Sequence, residues 1–266
     1  MDIQLLEKQF RKIGARVKIF AVESEFQRDG IDIRSDKQGE FFQIRVTDRE
    51  SVEYEVVDLK PEMRHLLLMA RRNNGKDKFL CGHDERHWFV CAVPGNGING
   101  VVRAMEALQP ETVRGRISQN LRRSKNRFER RNEAFVRQGE WFFIPAPELV
   151  VNPTFNNPIH KNEPLSRGRG SKPHVCAEIF RSGGELVWVC SRFPSGVSPK
   201  RYAELIKTDQ KASQWNWRTF VRDAKVYARG TVRHSDHKTI YLDGWHQVFM
   251  NTENEAPGMQ HVVFLD

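Results

Sequence analysis

The sequence predicts an α+β protein, built mainly from antiparallel strands, with one long basic amphipathic helix and several shorter helices. Three observations carry that expectation. Short runs rich in β-branched and aromatic residues recur at 17–19, 31–33, 41–46 and 52–57, and again at 175–180, 186–190, 226–232, 239–242, 247–250 and 261–265. Clusters of Gly, Asp, Ser and Asn separate them, as turns require. Between these two strand-rich parts, residues 101–138 instead carry apolar side chains at helical spacing.

Taken in order, residues 3–12 have the apolar spacing of a short opening helix, and Gly14 stands where a helix stop belongs. Residues 15–60 read as an antiparallel meander. Pro61 opens the apolar run 63–70, expected as a helix, with a strand as the alternative because length does not decide between them. Strands follow at 78–81 and 87–93. The loop Pro94-Gly95-Asn96-Gly97-Ile98-Asn99-Gly100 lacks the Gly-Lys-Ser/Thr ending of a phosphate loop and is read as a boundary. The expected organisation is a β-rich part over 1–98, a helical segment over 99–138 and a C-terminal α+β part over 139–266, with the helix able to join two domains. Residues 140–145 read as a buried strand, followed by a Pro- and Asn-rich connector. A hairpin is expected at 175–180 and 186–190 through Ser182-Gly183-Gly184, with helix returning over 199–224.

With 266 residues and 39% apolar side chains, the chain can build a real core and is not a disordered tail. No run approaches the roughly 20 apolar residues of a membrane span, and the opening Met1-Asp2-Ile3-Gln4 lacks the design of a signal peptide. No membrane association and a cytoplasmic location are therefore expected, with Cys81, Cys91, Cys176 and Cys190 kept as thiols. The net charge of +9 favours anionic partners.

That charge is concentrated. Residues 111–138 hold nine Lys or Arg against three Glu. On a helix, Val113, Ile117, Leu121, Phe128 and Phe135 form one stripe, opposite Arg116, Arg122, Arg123, Arg127, Arg130 and Arg137. The guanidinium fork holds two phosphate oxygens at once, so this face suits a polyanion backbone. The loop bearing Arg167 and Arg169 between glycines adds phosphate-binding capacity, and Trp215, Trp217 and Phe220 can stack bases or belong to the core. The expected function is nucleic-acid binding, with RNA ahead of DNA because no helix-turn-helix or zinc-finger pattern is present.

Two segments are dense in ionisable groups. Cys81, His83, His87 and Cys91 would allow a tetrahedral zinc set if they lay on a hairpin. The His83-Asp84 doublet resembles that of the metal-dependent HD phosphohydrolases, which carry it on a helix; here its flanks read as strand, and no role is carried over. In the second segment, His234, Asp236 and His237 have the parts of acid–base chemistry: two imidazoles that move protons and a carboxylate that fixes a tautomer. His237-Lys238-Thr239-Ile240 is similar to the His-x-Thr-apolar element of the two-histidine phosphoesterases. That family needs two copies, and no other histidine here has Ser or Thr two residues on. The alternative function is thus a phosphodiester- or nucleotide-processing enzyme, nuclease-like, with Arg167 or Arg169 holding phosphate. The ordinary explanation of 234–237 is a turn between strands. A third class is an assembly protein that docks an acidic partner on the basic helix. The sequence leaves any cofactor, and the metal content, open.

Overall fold

The computed structural model describes residues 2–22, 30–47, 52–73, 75–120, 124–155, 157–167, 171–209 and 211–256. It opens on α1 (Ile3–Lys12), where the Asp2 side chain caps the first turn by accepting from the Leu5 N–H at 3.0 Å and Gly14, in left-handed backbone, ends the helix. β1 (Val17–Val22), β2 (Gly30–Asp36) and β3 (Gly39–Thr47) form a three-stranded sheet in the order β1-β3-β2. Only half of the expected meander is present, because β2 and β3 pair antiparallel whereas β1 runs parallel to β3. β4 (Glu53–Lys60), β5 (His65–Arg72), β6 (Gly75–Asp84) and β7 (His87–Ala92) then make an antiparallel sheet in sequence order.

β5 is the apolar run that the sequence suggested as a helix. Leu66, Leu68 and Ala70 join the core beneath α1, whereas Leu67 meets Val101, Ala104 and Leu108 at and just beyond α2 (Val101–Ala107). A strand covered on both faces loses the alternation that identifies it.

Among the described residues there is no long basic helix, which overturns that part of the expected fold class. α3 (Glu111–Asn120) is ten residues long; a 3-10 turn follows at Ser124–Phe128, and by β8 (Val136–Gln138) the chain is extended. On one straight helix Val113 and Phe135 would stand about 33 Å apart. In fact they share a buried cluster with Phe142 and Ile144. The apolar spacing thus marks residues that reach a common core because the chain folds back. Asn132 makes the reversal, its Oδ1 accepting from the N–H groups of Ala134 at 2.9 Å and Phe135 at 3.1 Å while its Nδ2 donates to the Asn126 carbonyl. The arginine face is dispersed as well: Arg127 pairs with Glu106 at 2.8 Å, and Arg130 turns inward onto Asp84 and Glu85.

The rest of the chain supplies β9 (Trp141–Pro145), β10 (His160–Leu165), β11 (His174–Ser182), β12 (Glu185–Cys190), β13 (Phe193–Val197), α4 (Pro199–Thr208), β14 (Arg218–Arg222), β15 (Lys225–Arg233) and β16 (Ile240–Met250). A six-stranded sheet has the order β10-β11-β15-β16-β9-β8, and a separate three-stranded sheet the order β13-β12-β14. The hairpin expected between β11 and β12 does not form. Gly183 and Gly184 both take positive φ, and a Cβ on Gly184 would stand 2.7 Å from the Arg222 carbonyl oxygen, so this link turns β12 away to pair with β14 while β11 pairs with β15. The helix expected over 199–224 stops at Thr208, and the strand expected at 261–265 lies outside the described residues. After β16 the chain returns to the first core, where the Glu253 carboxylate accepts from the Ala92 N–H at 3.1 Å and Ala256 is buried. Among the described residues no helix is long and apolar enough to cross a membrane.

Candidate active site

The entry to β11 and the bend from β15 to β16 lie at one end of the six-stranded sheet, and the tight β8–β9 turn, which pairs by register at the other end of β16, reaches them through Gly139. The β11–β15 register pairs Val175 with Arg233, which sets His174 beside His234. The bend at 234–237 then brings His237 to the same place. The ring centroids lie 4.1 Å apart for His174 and His234, 4.6 Å for His234 and His237, and 5.5 Å for His174 and His237. One ring nitrogen from each falls within 4.8 Å of the others. Gly139 makes room for them. It has φ +56°, and a Cβ there would stand 2.7 Å from His237 Nε2 and 3.1 Å from His174 Cε1.

Each imidazole is held differently. Gln138 Nε2 donates to the carbonyls of Val232 at 3.2 Å and Lys238 at 2.8 Å, so its Oε1 faces His174 and accepts from Nδ1 at 2.9 Å. His174 Nε2 is thereby turned into the cluster, where Glu140 Oε2 stands 3.3 Å away. His234 Nδ1 accepts from the Asp236 N–H at 3.1 Å, and its Nε2 donates to the Lys172 carbonyl at 3.3 Å. Asp236 thus fixes His234 through its backbone; its carboxylate pairs with Lys172 at 2.9 Å.

Burial, reinforced by the neighbouring His234 and His174, pushes the His237 pKa down to about 4. Burial and then His174 lower His234 as well. Both therefore offer lone pairs at neutral pH. Burial opposes the charge on Glu140, but its polar and charged neighbours, His174 first and then Arg167, outweigh it, so its pKa lies below the ordinary value and the group is a carboxylate. Asp236 is likewise lowered, with Lys172 outweighing burial.

His234 and His237 line a cleft of about 560 Å³, with Glu140 and Gly139 beside them and Arg130, Arg137, Arg167 and Lys172 in its walls. Most of these cations have committed partners: Arg130 has Asp84 and Glu85, Lys172 has Asp236, and Arg167 meets the buried Glu253 at 2.7 Å. Burial raises the pKa of Glu253 against the opposing pull of Arg167. Arg137 is the least committed, with Asp84 Oδ1 at 3.7 Å and the Gly139 carbonyl at 3.4 Å.

Of the candidate site residues named from the sequence, His234, Asp236, His237, Arg130, Arg137, Arg167, His87 and Cys91 border this cleft. Arg116 lies on α3 away from it, Arg127 stays with Glu106, and Arg122, Arg123 and Arg169 lie outside the described residues. The proposed zinc set does not converge. Cys81 pairs across the sheet with Val90, so Cys91 faces the other side, in the α2 cluster; burial pushes both thiols far up. His83 packs edge-on against Trp88, and His87 engages Glu40 at 2.7 Å. Trp215 and Trp217 pack beside the small sheet with Phe193 of β13 and Tyr202 of α4, and Phe220 is exposed. Sequence reasoning missed Gln138, Gly139, Glu140 and His174. The available signal was Gly139 between the expected helix and the expected strand at 140–145, which marks a boundary but not its chemistry. Comparison with protein-family models, with curated proteins and with solved structures found no match to this chain.

Proposed function

We propose that the protein is an enzyme that hydrolyses a phosphodiester, in a nucleotide or a nucleic acid. The observation that carries this reading is the convergence of His174, His234, His237 and Glu140 at a cleft whose walls hold Arg137 and Arg167. The cleft is of the size that encloses a small ligand or a few linked groups of a longer one. Arg137 binds the phosphate oxygens, and Arg167, held in place by Glu253, adds a second cation. Glu140, kept ionised by His174, accepts a proton as water attacks. The water oxygen forms a bond to phosphorus, the ester P–O bond breaks, and that proton passes to the departing alkoxide. Developing charge on the phosphoryl oxygens is met by the two guanidinium groups.

Turnover of bis(p-nitrophenyl) phosphate and of labelled RNA and DNA oligonucleotides tests the reading. Glu140→Gln and His237→Ala should lose turnover while circular dichroism stays native, and Arg137→Gln should raise KM more than it lowers kcat. Full turnover in Glu140→Gln would sink the assignment. Salt-dependent oligonucleotide binding without any cleavage would leave the simpler reading, a nucleic-acid-binding protein.

A further inference from the structure

We infer that His174, His234 and His237 bind one divalent transition-metal ion of the zinc class, with water completing its shell and Glu140 beside it. The inference deepens the hydrolytic reading, but its evidence is separate. His174 is only 1% exposed, yet its Nε2 has no hydrogen-bond partner; the Glu140 oxygen at 3.3 Å is close but lies off the hydrogen-bonding direction. A buried polar atom left so costs about 1–3 kcal/mol unless something meets it. What meets it points inward from two further histidines.

The surroundings are those that a metal-binding imidazole requires. Gln138 accepts from Nδ1 and is itself fixed by two carbonyls, an outer shell that sets the tautomer and the aim of the ring. Gly139 removes the side chain that would fill the space between His174 and His237. Three imidazoles select zinc, cobalt, nickel or copper over magnesium or calcium, which take oxygen ligands. With metal–nitrogen bonds of 2.0–2.1 Å, tetrahedral ligand atoms lie about 3.3 Å apart. The nitrogens here fall within 4.8 Å, so binding draws the rings together, with His234 releasing the long 3.3 Å contact to Lys172 or the one to Asp236. The ion supplies what the side chains lack. Water bound to it loses a proton near neutral pH, and the adjacent Glu140 carboxylate is placed to take that proton.

The test is made on the full chain, stripped with a chelator and titrated with Co²⁺ under visible spectroscopy and with Zn²⁺ in a calorimeter. One equivalent should bind, with the d–d absorption of a four- or five-coordinate nitrogen site and an upward shift in thermal midpoint. His174→Ala and His237→Ala should weaken binding more than about 100-fold, since loss of an outer-shell partner alone costs about 10–100-fold. His87→Ala, outside the cluster, should bind as the native chain does. Failure of the native protein to take up Co²⁺ or Zn²⁺, or undiminished uptake in the His174→Ala/His237→Ala double variant, would overturn the inference. Should those variants fail to fold, diethylpyrocarbonate labelling of the native chain serves instead: Zn²⁺ should protect His234 and His237, and equal labelling with and without Zn²⁺ would overturn it. Glu140→Gln should keep the ion and lose turnover. Turnover by a protein that binds no ion would overturn this inference alone, and ion uptake with no turnover on any phosphodiester would overturn only the hydrolytic reading.

Discussion

Gln138 and His174, both buried, meet at 2.9 Å between the Gln138 Oε1 and the His174 Nδ1, so a residue of the edge strand β8 sets the aim of a ring at the start of β11. Replacing Gln138 by Leu keeps the bulk and strands the groups it satisfies. The variant should lose roughly 1–3 kcal/mol in urea unfolding, and its turnover should fall about 10–100-fold, as when an orienting partner is lost. Unchanged turnover with lowered stability would show that His174 needs no orientation.

Gly139→Ala tests the space that the turn leaves open. The left-handed conformation costs a non-glycine residue about 1–2 kcal/mol, and the new methyl would displace His237. Turnover should therefore fall far more than stability, measured as kcat against the denaturant midpoint.

The histidines also make a pH prediction. The His237 pKa is lowered from 6.5 to about 4 in the folded state, so the unfolded chain binds the proton first as pH falls. The stability due to keeping His237 neutral is present above pH 6.5 and is lost as pH falls towards about 4. In the chelator-stripped His237→Asn variant, compared with the stripped native chain, the decline of the thermal midpoint across that window should be shallower; an identical slope would refute the shift.

Leu67 has no exposed surface and fills the side of β5 turned to α2. Leu67→Ala should cost roughly 2–5 kcal/mol. The loss should appear in global unfolding, because the opposite face of β5 belongs to the first core.

Thiol chemistry offers a check that needs no substitution. Burial raises the Cys176 pKa to about 12 and those of Cys81 and Cys91 well above the ordinary value. These three should resist iodoacetamide at pH 8 in the native state and react on denaturation. Rapid alkylation of Cys176 in the folded protein would contradict its placement.

Strands were legible where one face meets solvent, as in β15, and in β9 from a short aromatic run bounded by Gly139 and Pro145, although both of its faces are buried. The helix was misread for a physical reason: spacing reports which residues face a core, and Val113 and Phe135 face the same one, but spacing does not report that Asn132 reverses the chain between them. Position 234 and position 237 could be paired by eye because they are three residues apart. Their link to His174 depends on the register of β11 against β15, and their link to Glu140 on the place of β9 in the sheet. Neither is written in local sequence. The arginines of 111–138 are less free than they look, because acids outside that stretch, Glu106 and Asp84, claim guanidinium groups that stand unopposed when only 111–138 is counted.

The glycine pair at 183 and 184 has a topological consequence. The last residue of β11, Ser182, is the registered partner of Lys225, the first residue of β15, so everything from 183 to 224 leaves the six-stranded sheet and returns to it at one hydrogen-bonded rung. That excursion, with its own three strands, helix and aromatic stack, hangs from a point a short turn could close. A short turn in its place would leave the strands that carry His174 and lead into His234 in the same register.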